Sequence, residues 1–429
     1  MDFTIESFFN PHIPVGATRI DAVLTVTATG GEESPRSGGA KAVVFVLDVS
    51  GSMQGDKLAN GKLALRRCIE LLDDRCLFSV IAFQSSAGVV VPMTPATAAA
   101  KERAHERIKK LEAEGGTAMS KALLAALEQF SAGGDAIGYC QFVTDGDNVS
   151  ENRAALDGAL ARCEGKFQCD CWGVGIDWKP EELRHISGRL LGSADAAPKP
   201  EQLEAYFREA LGRALSKGLG DVRLRLQVPK TSRIVTAKQM SPEIADLLKL
   251  ARRVDERNTD IPLGAWGVES RDYHVAFELT SQAEGEEMMA CRPRIVYTKD
   301  GGEVVKDGQR VVAAWTADES LTTRINAHVA HYTGQEELAD SIREGLEAKA
   351  RGDDEQATVL LGKAARIAIQ SGNEEVTKRL KKVVDVIDAE KGTVRLRSAG
   401  SGAEKKAADL ELEMGGTRTV RRRPAAPAN

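Results

Sequence analysis

No stretch of this chain of 429 residues approaches the roughly 18 consecutive apolar residues that a membrane helix needs, so no membrane span is expected. Its start, MDFTIESFFNPHIPVG, has neither a basic n-region nor a long apolar segment, which argues against a secretory leader and makes the cytoplasm the expected location. Basic residues are not in excess. With 58 Lys and Arg against 63 Asp and Glu, the net charge of −5 excludes a general nucleic-acid binder. Cysteine is sparse, and seven scattered cysteines do not form a disulfide framework. Cys163, Cys169 and Cys171 cluster in CEGKFQCDCWGVG, but a soft-metal site needs a fourth ligand and a CxxC-type knuckle. Neither is visible, and these residues read as buried free thiols. A GxxxxGK[ST] phosphate loop is missing too.

What is present suffices for two or three domains: 42% hydrophobic residues to build cores and 28% charged residues to cover them. Residues 41–217 alternate strand and helix patterns, the mark of an α/β fold with a largely parallel, doubly wound sheet. AVVFVL is a short apolar run suited to a strand covered on both faces. Leu58, Leu65, Ile69 and Leu72 follow at near-helical spacing. Before and after this unit the texture differs. RIDAVLTVTAT, VRLRLQV, YHVAFEL, PRIVYT and QRVVAAW alternate as half-exposed antiparallel strands do. The expectation is a β-sandwich built from residues 1–40 and 218–317, with the α/β unit inserted through a first connector at 30–39. Residues 318–391 carry no strand signal and predict three or so helices. Arg351-Gly352-Asp353 falls between two of them as a turn. From 392 to 429 the composition turns small, polar and charged, and a disordered tail is expected.

The strand VVFVLD stops abruptly at Asp48, and Ser50 and Ser52 follow at alternate positions. In open α/β sheets ligands bind at the carboxyl ends of the strands. Two further oxygen side chains sit at equivalent places: Thr117 after Gly115-Gly116 and before a helix, and Asp145 at the end of YCQFVTD. Singly, Thr117 reads as a helix N-cap and Asp145-Gly146 as a turn. Together the five form an all-oxygen, hydroxyl-rich set that suits a small hard cation, Mg²⁺ above all, with Mn²⁺ as the alternative.

DVSGS, the Thr of GGT, and TDGD resemble the metal-ion-dependent adhesion site of von Willebrand factor type A domains, over about 41–217. The resemblance implies Ser50 and Ser52 as direct hydroxyl ligands, and Thr117 as a direct ligand when a partner is bound. By the same resemblance, Asp48 and Asp145 would act mainly through waters. It also implies a protein partner that supplies an acidic residue to the metal, because a cation held mostly by neutral hydroxyls keeps much of its charge. The function expected is that of an adaptor, not an enzyme.

Two other classes compete. A haloacid-dehalogenase-type phosphatase also places an Asp at a strand end, but needs a second Asp two residues on, where Ser50 stands. Bacterial proteins with this domain often pair with AAA+ ATPases of the MoxR or chelatase kind, which makes an ATPase subunit the main alternative. The tail ADLELEMGGTRTVRRR adds Thr417 and Thr419 between acidic and basic stretches. By resemblance to family members found beside signalling proteins, they are expected phosphoacceptors for a Ser/Thr kinase, read by a forkhead-associated domain. Val420 stands three residues after Thr417, and Arg421 to Arg423 could neutralise the phosphate in cis.

Overall fold

The computed structural model of the chain describes residues 1–30, 40–299 and 301–422. Its first connector therefore lies, Gly30 apart, outside the described residues, as does Arg423.

The α/β unit is a six-stranded sheet in the order Ala87–Pro95, Leu77–Phe83, Lys41–Asp48, Ile137–Thr144, Gln168–Val174, Ala194–Ala197. Every pairing is parallel except that of the first two strands. Lys41–Asp48 is central, and its apolar run serves both faces. Val43, Phe45 and Leu47 enter one core with the helices Asp56–Glu70, Ala98–Lys109 and Leu203–Leu215. Ala42, Val44 and Val46 enter the other with Met119–Ala132, Arg153–Cys163 and Pro180–Arg189. Unbroken apolarity is thus the period-2 rule applied twice, once per buried face. All seven cysteines are free and buried, as their reading required.

The flanking strands form a β-sandwich, with the α/β unit inserted into it. One sheet runs Asp2–Phe9, Arg19–Thr29, Ser270–Leu279, Ser232–Ser241, Ala245–Asp246. The N-terminal strand Arg19–Thr29 is interior to it, pairing antiparallel with Ser270–Leu279 from Ser270↔Thr27 to Glu278↔Arg19. The second sheet contains Asn258–Trp266, Leu219–Gln227, Glu287–Lys299 and Val311–Thr316, with His12–Pro14 at its margin. Between them lie Leu24, Val26, Trp266, Phe277 and Trp315, all fully buried. Both connections to the α/β unit leave from the amino end of its central strand. There the Lys41 ammonium donates to the Lys217 carbonyl.

Helices Ala327–Ala350, Asp354–Gln370 and Glu374–Val383 follow. Arg351-Gly352-Asp353 is the turn between the first two, with Gly352 at φ +79° and Asp353 capping the second through Gln356 N at 3.0 Å. Two expectations fail after that. Val384–Asp388 and Thr393–Leu396 form a hairpin where no strand was expected. The tail is not disordered over its described part: Gly402–Gly415 is a helix, opened by a full capping box of Ser401 and Glu404. It lies on Ala194–Ala197, the edge strand of the α/β sheet, and sends Leu410 and Met414 into that unit's core. An open sheet edge needs cover, and a mostly polar segment with a few well-spaced apolar residues provides it.

Residues 416–422 continue as a strap across all three units. The Ile244 amide donates to the Thr417 carbonyl at 2.8 Å, and the Thr419 amide to the Pro242 carbonyl at 3.0 Å. Arg418 pairs with Asp195 of the α/β unit and with Glu375 of the helical region. Arg421 pairs with the buried Asp272 of the sandwich at 2.8 Å. That carboxylate also accepts from Tyr332 Oη of the first long helix at 2.5 Å.

Candidate functional site

Asp48 and Asp145 end adjacent parallel strands and are both fully buried. Ser50 and Thr117 are 2% and 3% exposed, whereas Ser52 faces outward. The loop bearing Thr117 is pinned to the first strand's end by two backbone bonds, Gly51 N to Gly115 O at 3.0 Å and Glu114 N to Val49 O at 2.8 Å. Its glycine pair is sterically required. Gly115 has φ +75°, and a Cβ there would meet Gln84 Oε1 at 2.5 Å, while one on Gly116 would strike Ser150 Oγ. The segment after Asp145 holds the same loop from the other side. Ser150 Oγ accepts from Thr117 N at 3.0 Å, and Asn148 Oδ1 from Met119 N at 3.0 Å.

Those anchors bring the side chains together. Ser50 Oγ lies 3.1 Å from Ser52 Oγ, which donates to Asp145 Oδ1 at 2.7 Å. Asp48 accepts from Ser50 N at 2.7 Å through one oxygen and from Thr144 Oγ1 through the other. Burial pushes the Asp48 carboxyl up to about 6, against the lowering effect of the Thr144 and Ser50 hydrogen bonds. Gly146 leaves the space that joins the cluster: a Cβ there would lie 3.4 Å from Ser52 Oγ and 3.6 Å from Thr117 Oγ1.

Both bland readings of the single residues fail. Thr117 does not cap the following helix, whose N-cap is Ala118 with no side-chain cap bond. Asp145 is no ordinary exposed turn residue, since its oxygens serve Ser52 and the Lys57 ammonium. Among the described residues no group of three or more His, Cys, Asp or Glu is placed to hold a metal. A cation at these strand ends would rest on three hydroxyls with two carboxylates behind them, a donor set that fits Mg²⁺ or Mn²⁺. Of the five side chains only that of Ser52 is exposed. A cavity of 170 Å³ lies instead at the opposite end of the sheet, lined by Tyr139, Asp170, Lys217, Glu243, Glu269 and Arg271.

Thr417 and Thr419 are not part of this cluster. Both are half-buried in the strap, where the Thr419 hydroxyl donates to the Met240 carbonyl. Sequence reasoning missed Thr144, which holds Asp48, and Lys57, which holds Asp145. Thr144 directly precedes Asp145, so its neighbour was the signal for it. Lys57 had only its place in the first turn of the helix after the serines.

A family model of the von Willebrand factor type A domain matches residues 41–195, and one of a von Willebrand factor type A C-terminal domain matches residues 366–405. The solved structure of a von Willebrand factor type A protein from Catenulispora acidiphila is 37% identical to this chain. That match covers 98% of this chain and 97% of the other, with a TM-score of 0.89. The ArnB paralog VWA2 from Sulfolobus acidocaldarius shares the fold at 14% identity, with a TM-score of 0.61 over 97% and 98% of the two chains. An uncharacterised protein of Synechocystis sp. is 31% identical over 209 residues, 47% of this chain and 49% of its own length. The chain spans about half or less of the length of the curated relatives it matches. It belongs to the von Willebrand factor type A domain family, whose domains are generally protein-interaction modules. Among the described residues no helix is long and apolar enough to cross a membrane.

Proposed function

We propose that this chain is a Mg²⁺-dependent adaptor that captures an acidic side chain of a partner protein at the strand ends of its α/β unit. The observation that carries this reading is that the Ser52 and Thr117 hydroxyls flank the space left by Gly146, with Ser50 Oγ 3.1 Å from Ser52 Oγ and buried Asp48 and Asp145 behind them. A bound divalent cation supplies an open coordination position with residual positive charge. The chain's own groups do the rest. Ser50 and Ser52 present neutral oxygens, Asp48 fixes the Ser50 backbone, and the pinned loop holds Thr117 ready beside them. Ser52, the exposed member of the set, is where a protruding carboxylate of a partner protein would reach the ion. Calorimetry with Mg²⁺ and an acidic peptide tests it. Wild type should take up the ion, more tightly with the peptide present, and a Ser50→Ala/Ser52→Ala variant should not. Equal uptake by both chains, or none by wild type, removes the assignment.

An adaptor of this type could stand alone or serve a AAA+ ATPase that provides the carboxylate, and co-purification with such an ATPase separates the two. The threonine reading takes a conditional form. A kinase and a forkhead-associated domain need an extended, accessible peptide, so modification of Thr417 or Thr419 requires the strap to leave its groove first.

A further inference from the structure

The candidate metal site already contains a cation, and the chain supplies it. Lys57 stands in the first turn of helix Asp56–Glu70, and its ammonium lies 2.5 Å from Asp145 Oδ2. The Asp145 side chain is fully buried, while that of Lys57 is 24% exposed. The other Asp145 oxygen accepts from Ser52 Oγ, which in turn touches Ser50 Oγ. The ammonium is therefore one carboxylate removed from the hydroxyls that would take a metal. Its stem has a made-to-measure channel: a Cβ on Gly175 would meet Lys57 Cε at 3.1 Å and Nζ at 3.5 Å, and Gly175 sits at φ +74°. A side chain at 175 would press on the lysine at the point where it turns toward Asp145.

A surface lysine that merely solvates a helix face does not reach a fully buried carboxylate. Resting on the metal reading above, we propose that Lys57 is a tethered competitor for the divalent ion: its ammonium neutralises Asp145 until a metal arrives, and the two cations compete for that carboxylate. Charge repulsion across a partly buried site is weakly screened. Lysine suits the role because its ammonium is a compact charge on a flexible four-carbon stem. Its partial exposure gives it a route to swing outward. The device keeps affinity for free metal low, so that the ion is held tightly only when a partner's carboxylate adds its own charge.

The test uses the full chain and the metal alone. Mn²⁺ uptake is followed by electron paramagnetic resonance of the free ion, and Mg²⁺ uptake by calorimetry, in wild type, Lys57→Met, Lys57→Gln and Ser50→Ala. Lys57→Gln keeps a hydrogen-bond donor for Asp145 and so guards against a folding failure of the methionine variant. Both lysine variants should bind at least tenfold more tightly than wild type. Their melting temperatures should fall without metal, because Asp145 is left buried and uncompensated, and rise further than wild type when metal is added. Wild-type or weaker binding by the lysine variants, with Ser50→Ala abolishing it, overturns the competition and leaves the metal reading intact. No uptake by wild type and lysine variants alike removes the metal reading, and the competitor with it.

Discussion

Asp195 is the point where removal of one charge should separate the units. Its carboxylate, 7% exposed, lies on the edge strand of the α/β sheet and receives Arg379 Nη1 at 3.1 Å and Nη2 at 3.2 Å. Arg418 of the strap approaches Oδ2, one of the same oxygens. Asp195→Asn keeps the shape and removes the charge. Stripping one partner from a buried pair costs about 3–5 kcal/mol. Arg418 is 31% exposed and keeps Glu375, which places the expected loss at the lower end, about 3 kcal/mol. At 1.4 kcal/mol per decade, that is on the order of a hundredfold rise in the released strap. Trypsin reads it directly. Cleavage after Arg418 tracks the open population when opening is fast relative to cutting, so the variant should be cut about a hundred times faster than wild type. Glu375→Gln, which removes a carboxylate 49% exposed, should change the rate only a few-fold, about 1 kcal/mol or less. Cleavage of Asp195→Asn at the wild-type rate would refute the idea that this carboxylate holds the strap.

Gly146→Ala should leave the melting temperature within about a degree, because the added methyl meets its neighbours at ordinary contact distances of 3.4 and 3.6 Å. It should nevertheless abolish Mg²⁺ uptake measured by calorimetry, by filling the space between the hydroxyls. At the junction of sandwich and α/β unit, burial pushes the Glu269 carboxyl up, but the Arg271 guanidinium and the Lys217 ammonium outweigh it and hold the group at about 2. Because that lies below its unfolded value, the stabilisation is fully present above about pH 4.5 and is lost as pH falls toward 2, up to about 3 kcal/mol in all. Glu269→Gln should flatten the urea midpoint over that window. Thr419→Glu replaces a hydroxyl that donates to the Met240 carbonyl with a carboxylate facing it. It should destabilise the docked strap by about 1–3 kcal/mol and speed tryptic cleavage at Arg418, whereas unchanged protection would mean that the hydroxyl bond is dispensable.

The α/β unit was legible because its signals are local. Val43 to Asp48 announces a two-faced strand, and DVSGS, GGT and TDGD each carry their oxygen on the element that delivers it. What escaped depends on contacts made elsewhere. The hairpin at Val384–Asp388 was hidden because Val383 ends a helix and Val384 begins a strand with no break in apolarity between them. Helix Gly402–Gly415 looked like a solvated tail because only Leu410, Leu412, Met414 and Gly415 are buried along it, and Leu410 and Met414 cover a strand about two hundred residues earlier. Thr417 and Thr419 looked free for the same reason. Lys57 reads locally as part of a polar helix face, and its partner Asp145 is 88 residues away, brought near only by the parallel pairing of two strands.

The interior position of Arg19–Thr29 sets an order of events during synthesis. Its hairpin partner Asp2–Phe9 emerges at once, but its other neighbour begins at Ser270. At about 5–20 residues per second the ribosome needs roughly 10 to 50 s to make the intervening chain. Until Leu219–Gln227 and Asn258–Trp266 of the opposing sheet emerge late in that interval, Ala22, Leu24, Val26 and Ala28 have no sheet to cover them. The α/β unit can fold meanwhile, since all its strands lie between Lys41 and Ala197. A nascent chain thus carries a folded α/β unit, its edge strand not yet covered by helix Gly402–Gly415, beside an unfinished sticky hairpin, the kind of intermediate that invites chaperones. The strap emerges after every element it crosses, so the units are tied to one another only once residues 416–422 have been made.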